Sequence, residues 1–305
     1  MKENVVTIVV TYNRLNLLKE NIDALLLQTV STDILIIDNN STDGTREYID
    51  NLNNEKIKYK NTGKNLGGAG GFAYGIKKAT EMGYKYAWIM DDDSIPESNA
   101  LEMLMDVVGT GIPFSFLASM VYWTDGRIFP MNRPTIQTIK DENVSMIRNC
   151  KVFPIENCSF VGCFFPLNLT YQVGLPISEF FIYGDDSEYT RRLRRIAPAY
   201  WVMNSEIVHK APTIDGADIA TADYSRIQRF FYQVRNGIYI SRKSGYRNTV
   251  KYIGKIFKRI GRVIRLSKDH KIGRILTLVK GSIKGFSFNP EIEFPQPKKN
   301  ELSAK

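Results

Sequence analysis

Tyr86-Ala87-Trp88-Ile89-Met90-Asp91-Asp92-Asp93 is a short apolar run that stops on three adjacent carboxylates. Bounded this way, and followed by turn residues, the run reads as a strand buried on both faces. Three neighbouring carboxylates repel one another and call for a cation or another compensating charge. Hard divalent ions such as Mg²⁺ and Mn²⁺ take carboxylate together with phosphate oxygens. Side chains two apart in an extended segment point the same way, so Asp91 and Asp93 can face one site while Asp92 faces another. The competing reading is a solvated acidic turn before a helix over Pro96 to Val108, with Ser94 or Asp93 as its cap.

Towards the N-terminus the same punctuation recurs. Val5 to Val10 is a β-branched strand ended by Thr11-Tyr12-Asn13-Arg14. A helix follows over Leu15 to Leu27, with Leu15, Leu18, Ile22, Leu25 and Leu26 near one face. Ile34 to Ile37 is a second strand, stopped by Asp38-Asn39-Asn40-Ser41; Thr42 to Asp50 starts another helix, and Ile57 to Tyr59 reads as a third strand. Asn61 to Phe72 is a glycine cluster ahead of a helix over Phe72 to Glu81. Glycines let backbone approach a ligand and leave helix N–H groups free for an anion. The cluster is neither a dinucleotide G-x-G-x-x-G after the first strand nor a Walker A loop. Strands alternating with helices predict an α/β fold with a mostly parallel central sheet and helices on both faces. Such sheets bind ligands at the carboxyl ends of their strands, where the polar residues gather.

Towards the C-terminus, Leu117 to Tyr122 reads as another strand and Ile128 to Val144 as a loop or irregular insertion. Phe160 to Leu167 reads as a buried strand. Phe180 to Tyr183 is a strand-like run that ends in Gly184-Asp185-Asp186-Ser187-Glu188-Tyr189 at a helix start. Capping and the helix dipole alone account for acids there. His209 closes the stretch from Trp201. A histidine in an apolar stretch is either structural or a nitrogen ligand for a Mn²⁺-type ion. Lys210 to Asp223 reads as a loop able to order over a bound ligand, and Ser225 to Ile240 as an aromatic-rich helix.

The 305 residues are 43% hydrophobic and 24% charged, which predicts a folded, soluble chain. No apolar run reaches the length needed to span a bilayer. The N-terminus shows no basic segment followed by a long apolar one, so no signal peptide is expected. Cys150, Cys158 and Cys163 lack paired spacing and read as reduced thiols of a cytoplasmic protein. Of the net charge of +9, Arg242 to Lys284 contributes +13, from fourteen Lys or Arg against Asp269 alone, which leaves −4 for the remainder. In that segment Ile253, Ile256, Phe257, Ile260, Val263, Ile264 and Leu266 recur in steps of three and four, as do Ile272, Ile275, Leu276, Val279 and Ile283. Two or three short basic amphipathic helices are expected, broken at Gly261, Gly273 and Gly281. They predict binding to an anionic membrane surface; closure over the catalytic body or a homodimer seam is the alternative. No nucleic-acid recognition motif accompanies the charge, so no nucleic-acid partner is expected.

Taken together, Thr11-Tyr-Asn-Arg14, Asp38-Asn-Asn-Ser-Thr-Asp-Gly-Thr45, Asn65-Leu-Gly-Gly-Ala-Gly-Gly71 and Asp91-Asp-Asp93 resemble the inverting GT-A glycosyltransferases of family 2. The flavour is that of the galactofuranosyl- and rhamnosyltransferases of bacterial cell-surface glycans, and the likeness covers residues 4 to 240. It implies a catalytic domain over 1–240, with a nucleotide-sugar half (1–110) and an acceptor and base half (111–240). A basic membrane-associating region (241–285) and a polar tail (286–305) follow. The resemblance puts Thr11, Tyr12 and Arg14 at the nucleobase end of the donor pocket. Asp38 goes on base or ribose, and Asn65 and Gly67 along the nucleotide. Asp91 and Asp93, with Asp92 open as an alternative, become the pair that reaches ribose, metal and diphosphate. Asp185-Asp-Ser-Glu-Tyr189 resembles the family motif whose second aspartate is the base, here Asp186; Asp185 is the alternative and Glu188 a support. His209 becomes a metal ligand. Tyr232-Gln-Val-Arg235-Asn236 resembles a family element, with Arg235 on a phosphate or in a structural salt bridge. The implied donor is a UDP- or dTDP-sugar and the implied cofactor Mn²⁺ or Mg²⁺. The acceptor is a growing glycan or a polyprenyl-diphosphate-linked one at the inner face of the plasma membrane. A sugar-nucleotide nucleotidyltransferase would place a glycine-rich loop directly after the first strand, where Thr11 to Arg14 stand. A non-catalytic membrane or glycan-binding module leaves the acids without a purpose.

Overall fold

The computed structural model describes residues 4–138, 147, 151–214 and 216–296. The chain begins with β1 (Val5–Thr11), α1 (Leu15–Leu26), β2 (Asp33–Asp38), α2 (Thr45–Leu52), β3 (Ile57–Asn61) and α3 (Gly67–Met82). It continues with β4 (Tyr86–Asp91), β5 (Ser94–Pro96), α4 (Ala100–Gly109), β6 (Phe116–Trp123), β7 (Thr135–Ile136), β8 (Val152–Asn157) and β9 (Cys163–Pro166). The last elements are α5 (Thr170–Val173), α6 (Asp185–Arg194), β10 (Ala199–His209), α7 (Gln228–Lys243), α8 (Tyr246–Leu266) and α9 (Lys271–Ser287).

The buried strands sort their side chains onto two faces with the period of two that a pleated strand imposes. Val6, Ile8 and Val10 of β1 pack with Phe72 and Ile76 of α3 and with Tyr189 and Leu193 of α6. Val5 and Val9 pack with Leu18 and Ile22 of α1 and Leu101 and Leu104 of α4. Each such side chain contributes about 1.5–3 kcal/mol when fully buried, so register is strongly specified.

The expected mostly parallel sheet is instead mixed. Its ten strands run β3-β2-β1-β4-β9-β6-β10-β8-β7, with β5 on β10. The first four are parallel. From β4 onward, antiparallel pairings dominate: β9 runs between β4 and β6 against both, and only β10 with β6 is parallel. β10 carries a register shift between Val202 and Glu206; its first part pairs with β8 and its end with β5, where His209 faces Ser94. The expected helix over Pro96 to Val108 therefore starts later, after the short β5.

Phe180 to Tyr183 is not a strand. It is a 3-10 turn followed by residues with positive φ at Phe181 (62°), Tyr183 (69°) and Gly184 (85°). The turn docks on the glycine cluster, where α3 begins five residues earlier than its periodicity suggests. Gly67 has φ of 70°, and a Cβ there would lie 2.1 Å from the Phe181 carbonyl oxygen. Only glycine lets the segment that opens α3 and the turn at Phe181 close on one another at that point.

The basic segment forms α8 and α9, which fold with α7 into a three-helix unit. Its core holds Phe230, Val234 and Ile238 of α7, Ile256 and Val263 of α8, and Leu278 of α9. Residue 240 lies inside α7, so the expected boundary cuts a helix. The helices break at Ser267–His270, while Gly261, Gly273 and Gly281 remain helical. Gly281 approaches within van der Waals contact of the Phe231 backbone, which stabilises the α7–α9 packing and offsets the low helix propensity of glycine. Phe288 and Ile292 return to the α/β body beside Ile177, Phe180 and Tyr239, and Leu175 N–H donates to Glu293 O at 2.8 Å. The expected polar tail is thus docked as far as it is described; residues 297–305 lie outside the described residues, as do Cys150 and the last part, 139–144, of the expected loop over Ile128 to Val144.

Candidate active site

Thr11, Asp91 and the residues after them reach one cleft at the carboxyl ends of β1 and β4 because these parallel strands end in register. The cleft has a volume of about 1180 Å³. Thr11 Oγ1 donates to Asp92 Oδ2 at 2.8 Å. Arg14 Nη1 donates to Asp92 Oδ1 at 3.3 Å and to Asp93 Oδ2 at 2.6 Å. Thr11 and Arg14 therefore compensate the acid triplet. Arg14 does not stand apart at a nucleobase end.

Burial and carboxylate repulsion compete with these partners. Burial, with repulsion from Asp93 and Asp91, pushes Asp92 up to about 7 against the pull of Arg14 and the Thr11 hydroxyl. Burial and Asp93 push Asp91 up to about 6, opposed by His209 and Arg14. Asp93 is desolvated too, yet His209 and Arg14 beside it hold it below the ordinary carboxylate value.

His209 reaches the triplet from the last residue of β10. Nε2 lies 3.1 Å from Asp93 Oδ1, while Nδ1 lies 2.8 Å from Asn132 Oδ1. Asn132 Nδ2 donates to Ser159 Oγ at 2.8 Å, so its Oδ1 is the acceptor and Nδ1 carries the proton. Nε2 then presents a lone pair towards a buried carboxylate oxygen that accepts no aligned hydrogen bond. A proton or a cation relieves that arrangement. Burial disfavours the protonated ring, but Asp93 and Asp91 outweigh it and raise the His209 pKa. One ligand atom each from Asp91, Asp93 and His209 lies within 4.8 Å of the others. Two carboxylate oxygens and an imidazole nitrogen suit a divalent ion. Asp92, tied to Thr11 and Arg14, stands outside this set. Asn132 carried no signal in the sequence, since it lies in a stretch without periodicity.

The glycine-rich side of the cleft is formed by Tyr12, Asn39, Asn65, Gly67 and Gly68. Asp38 is not on this wall. It is fully buried, accepting from Ser41 N–H at 2.8 Å and from the Tyr59 hydroxyl at 2.6 Å. Asn39 occupies the wall instead and ties Nδ2 to Gly67 O at 3.0 Å.

Asp185 and Asp186 enter from the opposite side, on the first turn of α6, and both line the cleft. Burial and repulsion from Asp186 raise the Asp185 pKa far above the ordinary carboxylate value. Burial raises Asp186 as well, but the Ser187 N–H at 2.6 Å and the Arg191 charge counter it. Asp186 thus has an opposing cation that Asp185 lacks. Glu188 does not line the cleft: Arg192 Nε holds its oxygens at 2.9 and 3.0 Å. Arg235 does not reach the cleft either. It is buried, donating to Glu179 O at 2.5 Å and stacking 4.0 Å from the Phe288 ring. Asn236 Nδ2 lies 2.9–3.0 Å from the carbonyl oxygens of Phe180, Ile182 and Tyr183. Arg235 and Asn236 together hold the strained turn that presents Asp185 and Asp186.

The sequence model described as glycosyl transferase family 2 matches residues 6–151, just under half the chain. The galactofuranosyltransferase GlfT1 of Mycolicibacterium smegmatis is 28% identical over 259 residues, covering 80% of this chain and 85% of that protein. The chain is a glycosyltransferase with a family 2 fold. GlfT1 of Mycobacterium tuberculosis is 28% identical to this glycosyltransferase over 200 residues, 64% of this chain and 66% of that protein. Among solved structures, Staphylococcus aureus TarS in complex with UDP superposes with a TM-score of 0.55 at 13% identity, over 93% of this chain and 72% of that one. GalNAc-T7 with UDP, GalNAc and Mn²⁺ reaches a TM-score of 0.57 at 13% identity, over 76% of this chain and 47% of that one. At such identities the solved structures establish the fold of the glycosyltransferase alone.

Proposed function

We propose that this glycosyltransferase is an inverting, divalent-metal-dependent enzyme. It moves a sugar from a UDP- or dTDP-sugar to a hydroxyl of a lipid-linked or growing cell-surface glycan at the inner face of the plasma membrane. Galactofuranose is favoured over rhamnose by the two galactofuranosyltransferase relatives. The observation that carries the reading is the convergence in one cleft of the Asp91–Asp93–His209 donor set and the half-buried carboxylate of Asp186.

Asp91, Asp93 and His209 would hold Mn²⁺ or Mg²⁺, which supplies charge stabilisation to the departing diphosphate. Tyr12, Asn65 and Gly67 would line the nucleotide, with Asp38 buttressing that wall from behind. Asp186 accepts the proton of the acceptor hydroxyl as its oxygen attacks the anomeric carbon. The bond from that carbon to the diphosphate oxygen breaks, and the nucleoside diphosphate leaves with the electron pair. Attack from the side opposite the leaving group inverts the anomeric centre. A screen of UDP-galactofuranose, dTDP-rhamnose, UDP-galactose and UDP-glucose, each with Mn²⁺, Mg²⁺ or chelator, tests the reading. Retained anomeric configuration in the product, or no transfer from any donor, overturns it.

Asn132 would orient His209 towards the metal. Asn132→Ala is expected to weaken Mn²⁺ binding by about 10–100-fold, as loss of an outer-shell partner does. Calorimetric titration of the donor-free protein reads this directly; unchanged affinity removes Asn132 from the site.

The membrane reading rests on α8 and α9. No helix among the described residues is long and apolar enough to cross a bilayer. Beyond the residues that pack on α7, a second apolar stripe stays open: Phe257 (69% exposed), Ile264 (56%), Ile272 (76%) and Ile283 (68%). Lysines and arginines surround it, as suits a helix pair lying in an anionic interface. Ile272→Ser with Ile283→Ser is expected to abolish co-sedimentation with anionic vesicles while leaving the fold intact. Truncation before α8 would uncover Val234 and Ile238 and confuse the result. Equal partitioning of variant and parent, or self-association through the stripe in the absence of lipid, refutes the membrane assignment.

A further inference from the structure

Beyond Asp186 the cleft continues as a second arm between α7 and α8. Its charged lining is Arg191 of α6, Arg229 of α7, and Lys251 and Lys255 of α8. Four-residue steps put Arg229 and Gln233 on one face of α7, and Lys251 and Lys255 on one face of α8. The Tyr252 hydroxyl donates to Gln233 O at 3.0 Å and pins the two helices together.

None of these four cations makes an ion pair or side-chain hydrogen bond among the described residues, although Arg191 is close enough to lower the Asp186 pKa. Other cations of the same helices are paired, Arg262 with Asp218 and Arg274 with Asp269. Four cations along one groove with no ion-pair partner among the described residues raise its potential and concentrate anions there. The groove joins two features at its ends. One is the half-buried Asp186; the other is the open flank of α8 that carries Lys251 and Lys255, across the helix from the exposed Phe257 and Ile264.

We propose that this arm binds the phosphate or diphosphate group of an amphiphilic acceptor, with Arg229, Lys251 and Lys255 as its ligands. The sugar hydroxyl then lies at Asp186, and the hydrocarbon part leaves by the open end of the arm. The assignment deepens the transferase reading and rests on it for the identity of the acceptor. The binding itself is measurable without turnover, so the two fail separately. Amines and guanidinium groups bind phosphate oxygens through charge-assisted hydrogen bonds, which are the strong ones.

The test uses the full chain without vesicles, in metal-free buffer, and titrates farnesyl diphosphate, inorganic pyrophosphate and farnesol by calorimetry. UDP with Mn²⁺ is titrated in parallel, because the donor is the other source of a diphosphate. The double variant Lys251→Gln, Lys255→Gln and the single variant Arg229→Gln change exposed side chains that hold no structural contact. Farnesyl diphosphate and pyrophosphate affinities are expected to fall by about tenfold or more in the double variant. Farnesol should bind weakly and equally to all forms, and UDP affinity should stay unchanged. Undiminished farnesyl diphosphate binding in both variants overturns the assignment. An equal loss of UDP affinity overturns it as well, since the cations then serve the donor.

Discussion

Asp186→Asn is expected to lower kcat by about 10²–10⁴-fold, the usual worth of a positioned general base, while donor affinity stays near the parent value. The substitution keeps the shape of the side chain and its place at the start of α6, and it removes only the proton acceptor. Asp185→Asn should cost less: burial and the neighbouring Asp186 raise the Asp185 pKa and so disfavour its charged form, which an amide lacks as well. The pH dependence has a definite sign. A base must be ionised, so kcat falls as pH drops through the pKa of Asp186 in the donor-bound enzyme. Burial raises that pKa above the ordinary value of 3.8, so the acid limb should sit above the usual carboxylate range. Steady-state kinetics with a fixed donor, together with single-turnover rates, check both statements. Near-parent turnover in Asp186→Asn with a large loss in Asp185→Asn would exchange the two roles.

Removal of divalent metal, or Asp93→Asn, is expected to lower transfer by about 10²-fold or more, because the diphosphate then leaves without charge compensation. Asp93 is the carboxylate already held ionised by its neighbours, and it faces both Arg14 and His209. Its amide leaves Arg14 half-paired and gives the cation a neutral ligand. Metal binding should itself depend on pH. Asp91 has a pKa of about 6, and the His209 pKa is raised by Asp93, so both ligands carry protons in mildly acidic solution. A metal ion must displace those protons, so its apparent affinity should fall as pH drops from 8 through about 6. Mn²⁺ titration at several pH values reads the effect without turnover. Full transfer activity in saturating chelator, after bound metal has been stripped, would remove the metal from the mechanism.

Much of this site was legible because its pieces are local. An apolar strand that stops on acids, as at Asp91 or Asp38, shows in hydrophobic period and in the residues that end it. The Asp185-Asp186 pair shows as acids at a helix start. Spacing within one segment determines backbone preference, and backbone preference determines which end of a strand carries the polar groups. What lay outside this reach were pairings between distant segments. Asp38 reads as a wall residue, yet Tyr59 on the adjacent strand closes over it. Arg235 reads as a phosphate ligand or a structural salt bridge, and the backbone carbonyls it staples instead lie more than fifty residues away in sequence. Asn132 gave no sign at all, since its only marker is the ring nitrogen it contacts.

The sequence by itself determined the α/β class, the four parallel strands, the acids at their ends, and the basic amphipathic character of α8 and α9. Each follows from residue period and type over a window of a dozen residues. Only the tertiary structure decided that the rest of the sheet runs antiparallel, that β5 brings His209 to Asp93, and which apolar faces of α8 and α9 remain open. Strand direction and helix docking depend on which distant surfaces bury one another. A hydrophobic pattern specifies that a face must be covered, and it leaves open what covers it.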